Sequence, residues 1–206
     1  MNDGTLQLVG EHIEQNPKSQ MIIGGYISVA EDSGRRKLTL PKALPKKPAD
    51  KVKAYLIDKK LSLANGATVM HKSIFTNGLY PEKFRSSEDL PVFSQALANN
   101  VCSNLNEPLA IIYGHKTSLR HNTTLSGQVG MQLVDEIFNS GRLPKEMHVL
   151  YPSFKSQRAL SLFRRFYSAD LKEQAKSMYL LAIKEQWTSI FKLSYTRKAF
   201  RLFICE

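Results

Sequence analysis

The segment MIIGGYISVA at 21–30 constrains the fold more than any other stretch of the sequence. It is apolar almost throughout, it is far shorter than the roughly 18–20 residues that cross a bilayer, and Asn16-Pro17 and EDSGRR fence it on either side. A short apolar run between turn signals is a buried strand. Such a strand needs a core, and 206 residues at 42% hydrophobic composition can build one, as one domain plus an appendage.

The neighbouring segments set the class. Asp3-Gly4-Thr5 opens a helix with Leu6, Val9 and Ile13 at i, i+3 and i+7, a spacing that gathers them on one face. After the strand comes a turn at EDSGRR, then a second short strand near 37–40 and a proline-rich loop, PKALPKKP, at 41–48. DKVKAYLIDKKLSL is a short helix, ATVMHKSIF a strand, residues 88–99 a helix and LAIIYG at 109–114 a strand. Alternating helix and strand marks an α/β domain. From about Ser126 the pattern is helical only. SGQVGMQLVDEIFNSG carries Val129, Leu133, Val134, Ile137 and Phe138, two helices meet near Ser168-Ala169-Asp170, and a third begins near Thr188. The expected organisation is an α/β domain over 1–124 and an all-α appendage over 125–206.

Composition narrows the function classes. The polar, acidic start MNDGTLQLVGEHIEQ has no basic or apolar leader region, so no secretory signal is expected and the chain is expected in the cytoplasm. Cys102 and Cys205 lie far apart, with no CxxC or Cys/His spacing, which points to ordinary thiols and not to a disulfide framework or zinc site. The formal charge of +11 is uneven: residues 35–60 hold ten Lys/Arg against two acids, residues 141–206 thirteen against five, and the rest six against eleven. Two basic zones suit an anionic partner, and they also suit a plain solvated surface.

The stretch RSSEDLPVFSQAL holds the candidate chemistry. Ser86 or Ser87 ahead of Glu88 and Asp89 is a helix start, with a serine hydroxyl as cap and acids at the positive end of the dipole. Pro91 fits the opening turn, and Val92, Phe93, Ala96 and Leu97 recur on one face.

Taken with its surroundings, ANGATVMHKSIFTNGLYPEKFRSSEDLPVFSQAL resembles the acceptor half of family-two glycosyltransferases with the GT-A fold. The matching parts are Gly66-Ala67 on a strand, Gly78-Leu79-Tyr80 with Glu82 in a loop, and Glu88-Asp89 at a helix start. GTLQLVGEHIEQNPKSQMIIGGYISVAEDSGRRK is similar to the helix, strand and hairpin that follow the metal-binding Asp-x-Asp motif of those enzymes. The resemblance spans roughly residues 3–121; SLFRRFYSADLKEQAKSMYLLAI is similar only in a general way to the helical tails of some members. It implies that Asp89 is the catalytic base of an inverting sugar transfer, which needs an ionised carboxylate within reach of the acceptor hydroxyl. The helix dipole favours that ionised state and the like charge of Glu88 opposes it. It further implies that Glu88, Gly66 and Gly78 face the acceptor. In IIYGHKTSLRHN, His115 and Arg120 stand where members meet the donor diphosphate, with a solvated basic loop as the alternative and the preferred one for His121.

The resemblance also shows what the sequence lacks. No Asp-x-Asp occurs in the 206 residues and no Gly-rich phosphate loop is present. The complete enzyme is expected to use a divalent cation, Mg or Mn, which these residues do not assign. The chain is expected to be the C-terminal portion of a transferase, inactive alone unless a separate N-terminal half supplies the donor site, and acting on a nucleotide-sugar donor and a glycan or lipid-linked acceptor in cell-envelope polysaccharide assembly. A basic tail in which Phe191, Tyr195, Phe200 and Phe203 alternate with Lys192, Arg197, Lys198 and Arg201 suggests peripheral contact with anionic membrane at the inner face of the cell membrane. The competing packing of that tail is onto the preceding hairpin. The alternative class is a non-enzymatic basic module engaging nucleic acid or anionic membrane through the tail. Nucleic acid is the less expected partner, since no helix-turn-helix, zinc finger or RNP motif is present.

Overall fold

The computed structural model describes residues 4–84, 87–114 and 130–204. Its centre is β1 (Met21–Ala30), the strand expected at 21–30. One edge of β1 is paired along its whole length with β4 (Cys102–Gly114) in parallel. The other edge is shared: β3 (Thr68–Met70) pairs antiparallel with its first half and β2 (Arg36–Thr39) with its second. The result is a four-stranded mixed sheet.

Successive side chains of β1 point to opposite faces, and the core divides accordingly. Met21 and Ile23 face a large core built with α2 (Pro48–Leu56), α3 (Asp89–Asn99), α4 (Gln132–Phe138) and the start of α5 (Tyr151–Ser168). Ile22 faces the other way, with Leu109, Ala67 and Val9 of α1 (Thr5–Gln15). A third cluster joins the rest of α5 to α6 (Lys172–Glu185) and α7 (Leu193–Ile204), with Phe163 and Tyr179 rings 5.4 Å apart. The chain is thus a mixed α/β protein with a largely helical C-terminal region. Among the described residues, no helix is long and apolar enough to cross a membrane.

Several expectations hold at residue level. Val92, Phe93, Ala96 and Leu97 of α3 are all fully buried, as are Leu133, Val134, Ile137 and Phe138 of α4 to within 1%, whereas Val129 lies outside the described residues. Others shift for identifiable reasons. Helix α1 lies on the sheet along the line Thr5, Val9 and His12: the Thr5 hydroxyl donates to the Leu109 carbonyl at 3.3 Å and His12 Nε2 meets Ser103 Oγ at 2.8 Å. Leu6 and Ile13, on the adjacent line, remain exposed. Strand β3 has only three residues, because His71 begins a 3₁₀ segment, Lys72–Asn77, in which the imidazole accepts from the Ser73 N–H. Strand β4 begins seven residues before the expected 109; its polar SNLNEP stretch resembles a loop in sequence, yet it pairs with β1 from Met21 onward.

The two central glycines of β1 explain how four strands meet there. The register with β4 slips twice, with Gly24 opposite Leu105, Gly25 opposite Pro108 and Tyr26 opposite Ala110. Pro108, which has no N–H to contribute to a ladder, falls within this irregular stretch. A Cβ on Gly25 would lie 2.9 Å from the Thr39 carbonyl oxygen and 3.3 Å from that of Glu107, backbone atoms that cannot swing aside. Gly25→Ala is therefore expected to destabilise the fold by about 1–3 kcal/mol, the usual range for overpacking. Urea unfolding measures it; an unchanged midpoint would show that the neighbouring strands yield freely.

Candidate functional site

Asp89 is the first residue of α3, at the positive end of the helix dipole. Glu88 occupies the cap position, and among the described residues no side chain caps the helix. This corrects the cap expected at Ser87. Ser87 is buried and offers its carbonyl, not its hydroxyl, to the Leu90 N–H at 3.3 Å, and Ser86 lies outside the described residues. Pro91, third in the helix, replaces an N–H that would have no helical partner.

The charge of Asp89 acts on two phenols and one ammonium, and a guanidinium acts in turn on that ammonium. Tyr55, buried in α2 and edge-on to Phe93 at 6.0 Å, has its pKa pushed well above the usual value by burial and then by the charge of Asp89. Tyr80 is raised by burial and then by Asp89 and Glu88, while its hydroxyl donates to Asn65 Oδ1 at 3.1 Å. Lys59 follows α2 with φ +55°, a left-handed conformation that side chains other than glycine adopt at a cost. The residue is exposed overall, yet desolvation pulls the pKa of its ammonium down, the nearby Arg158 adds to this, and Asp89 acts in the opposite sense. Arg158, on α5, is only 8% exposed. Its Nε donates to the Gly130 carbonyl at 3.2 Å, and burial, with Arg165 adding to it, lowers its pKa to about 10.

Among the described residues three buried side-chain atoms have no hydrogen-bond partner: Glu88 Oε2, Asn104 Oδ1 and Arg158 Nη2. An unmade hydrogen bond at a buried polar atom costs about 1–3 kcal/mol, and more when the group is charged. Folds retain such atoms where a ligand completes them.

The loop expected to face an acceptor is fixed from behind. Arg142, 5% exposed, sends Nη1 to Gln95 Oε1 at 2.6 Å, Nη2 to the Leu79 carbonyl at 2.8 Å, and Nε and Nη2 to Glu136 Oε1 at 3.1 and 2.9 Å. Gln95 Nε2 in turn donates to the Gly78 carbonyl at 2.6 Å, and Lys83 Nζ meets Glu136 Oε2 at 3.0 Å. Gly78 has φ +146°, and a Cβ there would run into the Arg142 guanidinium, so this position needs glycine for conformation and for space.

The expected site residues therefore fall into three groups. Glu88, Asp89 and the Gly78 loop come together, the loop through Gln95 and Tyr80. Gly66 is exposed in a 3₁₀ turn, Asn65–Ala67, just ahead of β3 and not within the strand, and the turn reaches the group through the Asn65–Tyr80 bond. His115 and Arg120 lie outside the described residues. The residues that sequence reasoning missed are Tyr55, Lys59 and Arg158. Lys59 has no local signal, since a lysine after a helix is ordinary until its backbone conformation is seen.

A hollow of about 730 Å³ opens at the carboxyl ends of the parallel strands β1 and β4, where open α/β sheets receive ligands. Arg35, Lys37, Tyr26 and Gly114 line it, together with the segment 62–64 that leads into Asn65. Tyr26 and Ser62 hydroxyls meet across it at 3.0 Å. Among the described residues no three His, Cys, Asp or Glu side chains converge, so these residues alone do not offer a divalent cation a complete seat. No family model, curated protein or solved structure matches the chain.

The Arg142 network sets an acid limit on stability. Burial works to raise the Glu136 pKa, but hydrogen bonds from Lys83 and Arg142 outweigh it and hold the carboxyl below its usual value. A carboxyl depressed on folding contributes stability above its unfolded pKa, about 4.3, and loses that contribution as pH falls through the folded value. Glu136→Gln is expected to flatten the fall in melting temperature below about pH 4.3. Arg142→Met is expected to cost about 3–5 kcal/mol, since it leaves a buried carboxylate and two carbonyls under-satisfied. A methionine variant within 1 kcal/mol of the parent would show that the network is dispensable.

Proposed function

We propose that this chain is the acceptor-side portion of a GT-A, family-two inverting glycosyltransferase, with Asp89 as its base. The observation that carries the reading is that the acidic pair opens α3, the helix whose Gln95 holds the Gly78 loop by its carbonyl at 2.6 Å. In the proposed reaction Asp89 takes the proton of an acceptor hydroxyl as that oxygen attacks the anomeric carbon of the donor sugar. The bond from that carbon to the diphosphate breaks, the nucleoside diphosphate leaves with the bonding pair, and the configuration inverts.

The other groups have roles that follow from their chemistry. Glu88 Oε2, without a partner among the described residues, accepts a hydrogen bond from a second acceptor hydroxyl and so orients the sugar. Lys59 and Arg158 supply positive charge for the departing diphosphate, beside the contribution that the resemblance assigns to His115 and Arg120. The hollow at the ends of β1 and β4, with Arg35 and Lys37 on its wall, accommodates the substrates. A divalent cation, Mg or Mn, is proposed for the complete enzyme, with its ligands supplied from outside the described residues.

The test is substitution within the transferase that contains this chain. Asp89→Asn is expected to leave the melting curve and donor binding intact and to lower turnover about 10²–10⁴-fold, the usual contribution of a positioned base. An Asn variant with full turnover would end the assignment. Lys59→Gly separates stability from function: relieving the left-handed lysine is expected to stabilise the fold by about 1 kcal/mol while turnover falls. A variant that gains stability and keeps its rate would remove Lys59 from the site.

A further inference from the structure

Helix α7 is apolar on two opposite sides. Ala199 and Leu202 are buried against α5 and α6, and the Tyr195 ring lies 6.1 Å from that of Phe163. Leu193, Phe200 and Ile204, at i, i+7 and i+11, fall on the other side of the helix. The 3₁₀ turn Trp187–Phe191 just before it adds Trp187 and Phe191, whose rings meet edge-on at 5.8 Å. These five side chains are 60–68% exposed. Single exposed apolar residues are normal, but a run of them along one outward strip marks an interaction surface.

The charge beside the strip identifies the occupant. From Gln186 to Ile204 there is no Asp or Glu, against four Lys/Arg. Lys198 lies over the Tyr167 ring at 5.3 Å. Lys192, Arg197 and Arg201 are exposed with no acidic partner among the described residues. Arg197 and Arg201 share a hollow of about 350 Å³ with Leu193 and Phe200, so cation and hydrocarbon are presented together. A second copy of the strip would set cation against cation. A nucleic acid would use the arginines and stack on the aromatics, but it gives no role to Leu193 and Ile204. An anionic bilayer uses every part: headgroup phosphates for the cations, the interface for Trp187 and Phe191, and the acyl boundary for the aliphatic side chains.

We propose that α7 and the turn before it bind the surface of an anionic lipid bilayer, lying in its plane. The surface stands on the opposite side of α7 from the packed core, so binding needs no unfolding.

Trp187 is the only tryptophan in the chain, and it reports the event directly. With vesicles of mixed phosphatidylglycerol and phosphatidylcholine at low salt, the protein is expected to float with the lipid and Trp187 emission to shift to the blue. Pure phosphatidylcholine vesicles should not retain it, and retention should weaken as salt rises. Arg197→Gln combined with Arg201→Gln should lower partitioning roughly 25-fold, about fivefold for each charge. Phe200→Ser with Ile204→Ser should abolish the blue shift. All four positions are exposed, so an unchanged melting curve verifies that each variant folds. Absence of flotation, equal retention on neutral vesicles, or an unmoved Trp187 emission overturns the proposal. So does retention on an oligonucleotide without retention on vesicles, or a concentration-dependent dimer that persists in their presence. None of these outcomes bears on Asp89.

Discussion

The guanidinium of Arg142 joins parts of the chain that share no other reason to be adjacent. It follows α4, yet it satisfies the Gln95 side chain of α3, the Leu79 carbonyl of the loop and the Glu136 carboxylate of α4 at once. A buried charge is tolerated only when its donors are used, and here they are spent on fixing the loop to the helix that carries Asp89. The glycine at 78 is the counterpart of this arrangement, since any side chain would displace the guanidinium. The geometry around the acidic pair is therefore set from the interior, not by the solvent-facing residues of the loop.

The sequence revealed elements whose signal is local. MIIGGYISVA announced the central strand, and the apolar spacing of α3 and of the C-terminal helices announced their buried faces. It concealed features set by partners distant in sequence. The first half of β4 is polar and carries Pro108, and only its parallel pairing with β1 makes it a strand. Ser87, one of the two serines expected to cap α3, is buried, and the turn closes through its carbonyl. Glu88 and Asp89 were visible as an acidic pair at a helix start, and Gly78 as a loop glycine. The role of Gly78 against Arg142, sixty-four positions further along the chain, was not visible, nor was the approach of Lys59 and Arg158. Pairing across such distances leaves no periodic trace in a single sequence.

Two arginines in the same fold illustrate opposite uses of burial. Arg142 is satisfied on every nitrogen, and its network stabilises. Arg158 is nearly as buried, and among the described residues its Nη2 has no hydrogen-bond partner. An unmade hydrogen bond at a buried charge works against folding, and the nearby Lys59, held at φ +55°, adds like charge.

The outward strip of α7 follows the same logic at the surface. A twelve-residue helix draws most of its stability from the face it buries, and Ala199, Leu202 and Tyr195 supply that face. The fold makes no demand on the opposite side; polar residues at 193, 200 and 204 would serve it as well and would keep the protein more soluble. Leucine, phenylalanine and isoleucine there, beside arginines with no acidic partner among the described residues, set a surface cost that the packed core does not recover. The proposed bilayer offers hydrocarbon and negative charge within the width of one helix, and so would supply the compensating interaction.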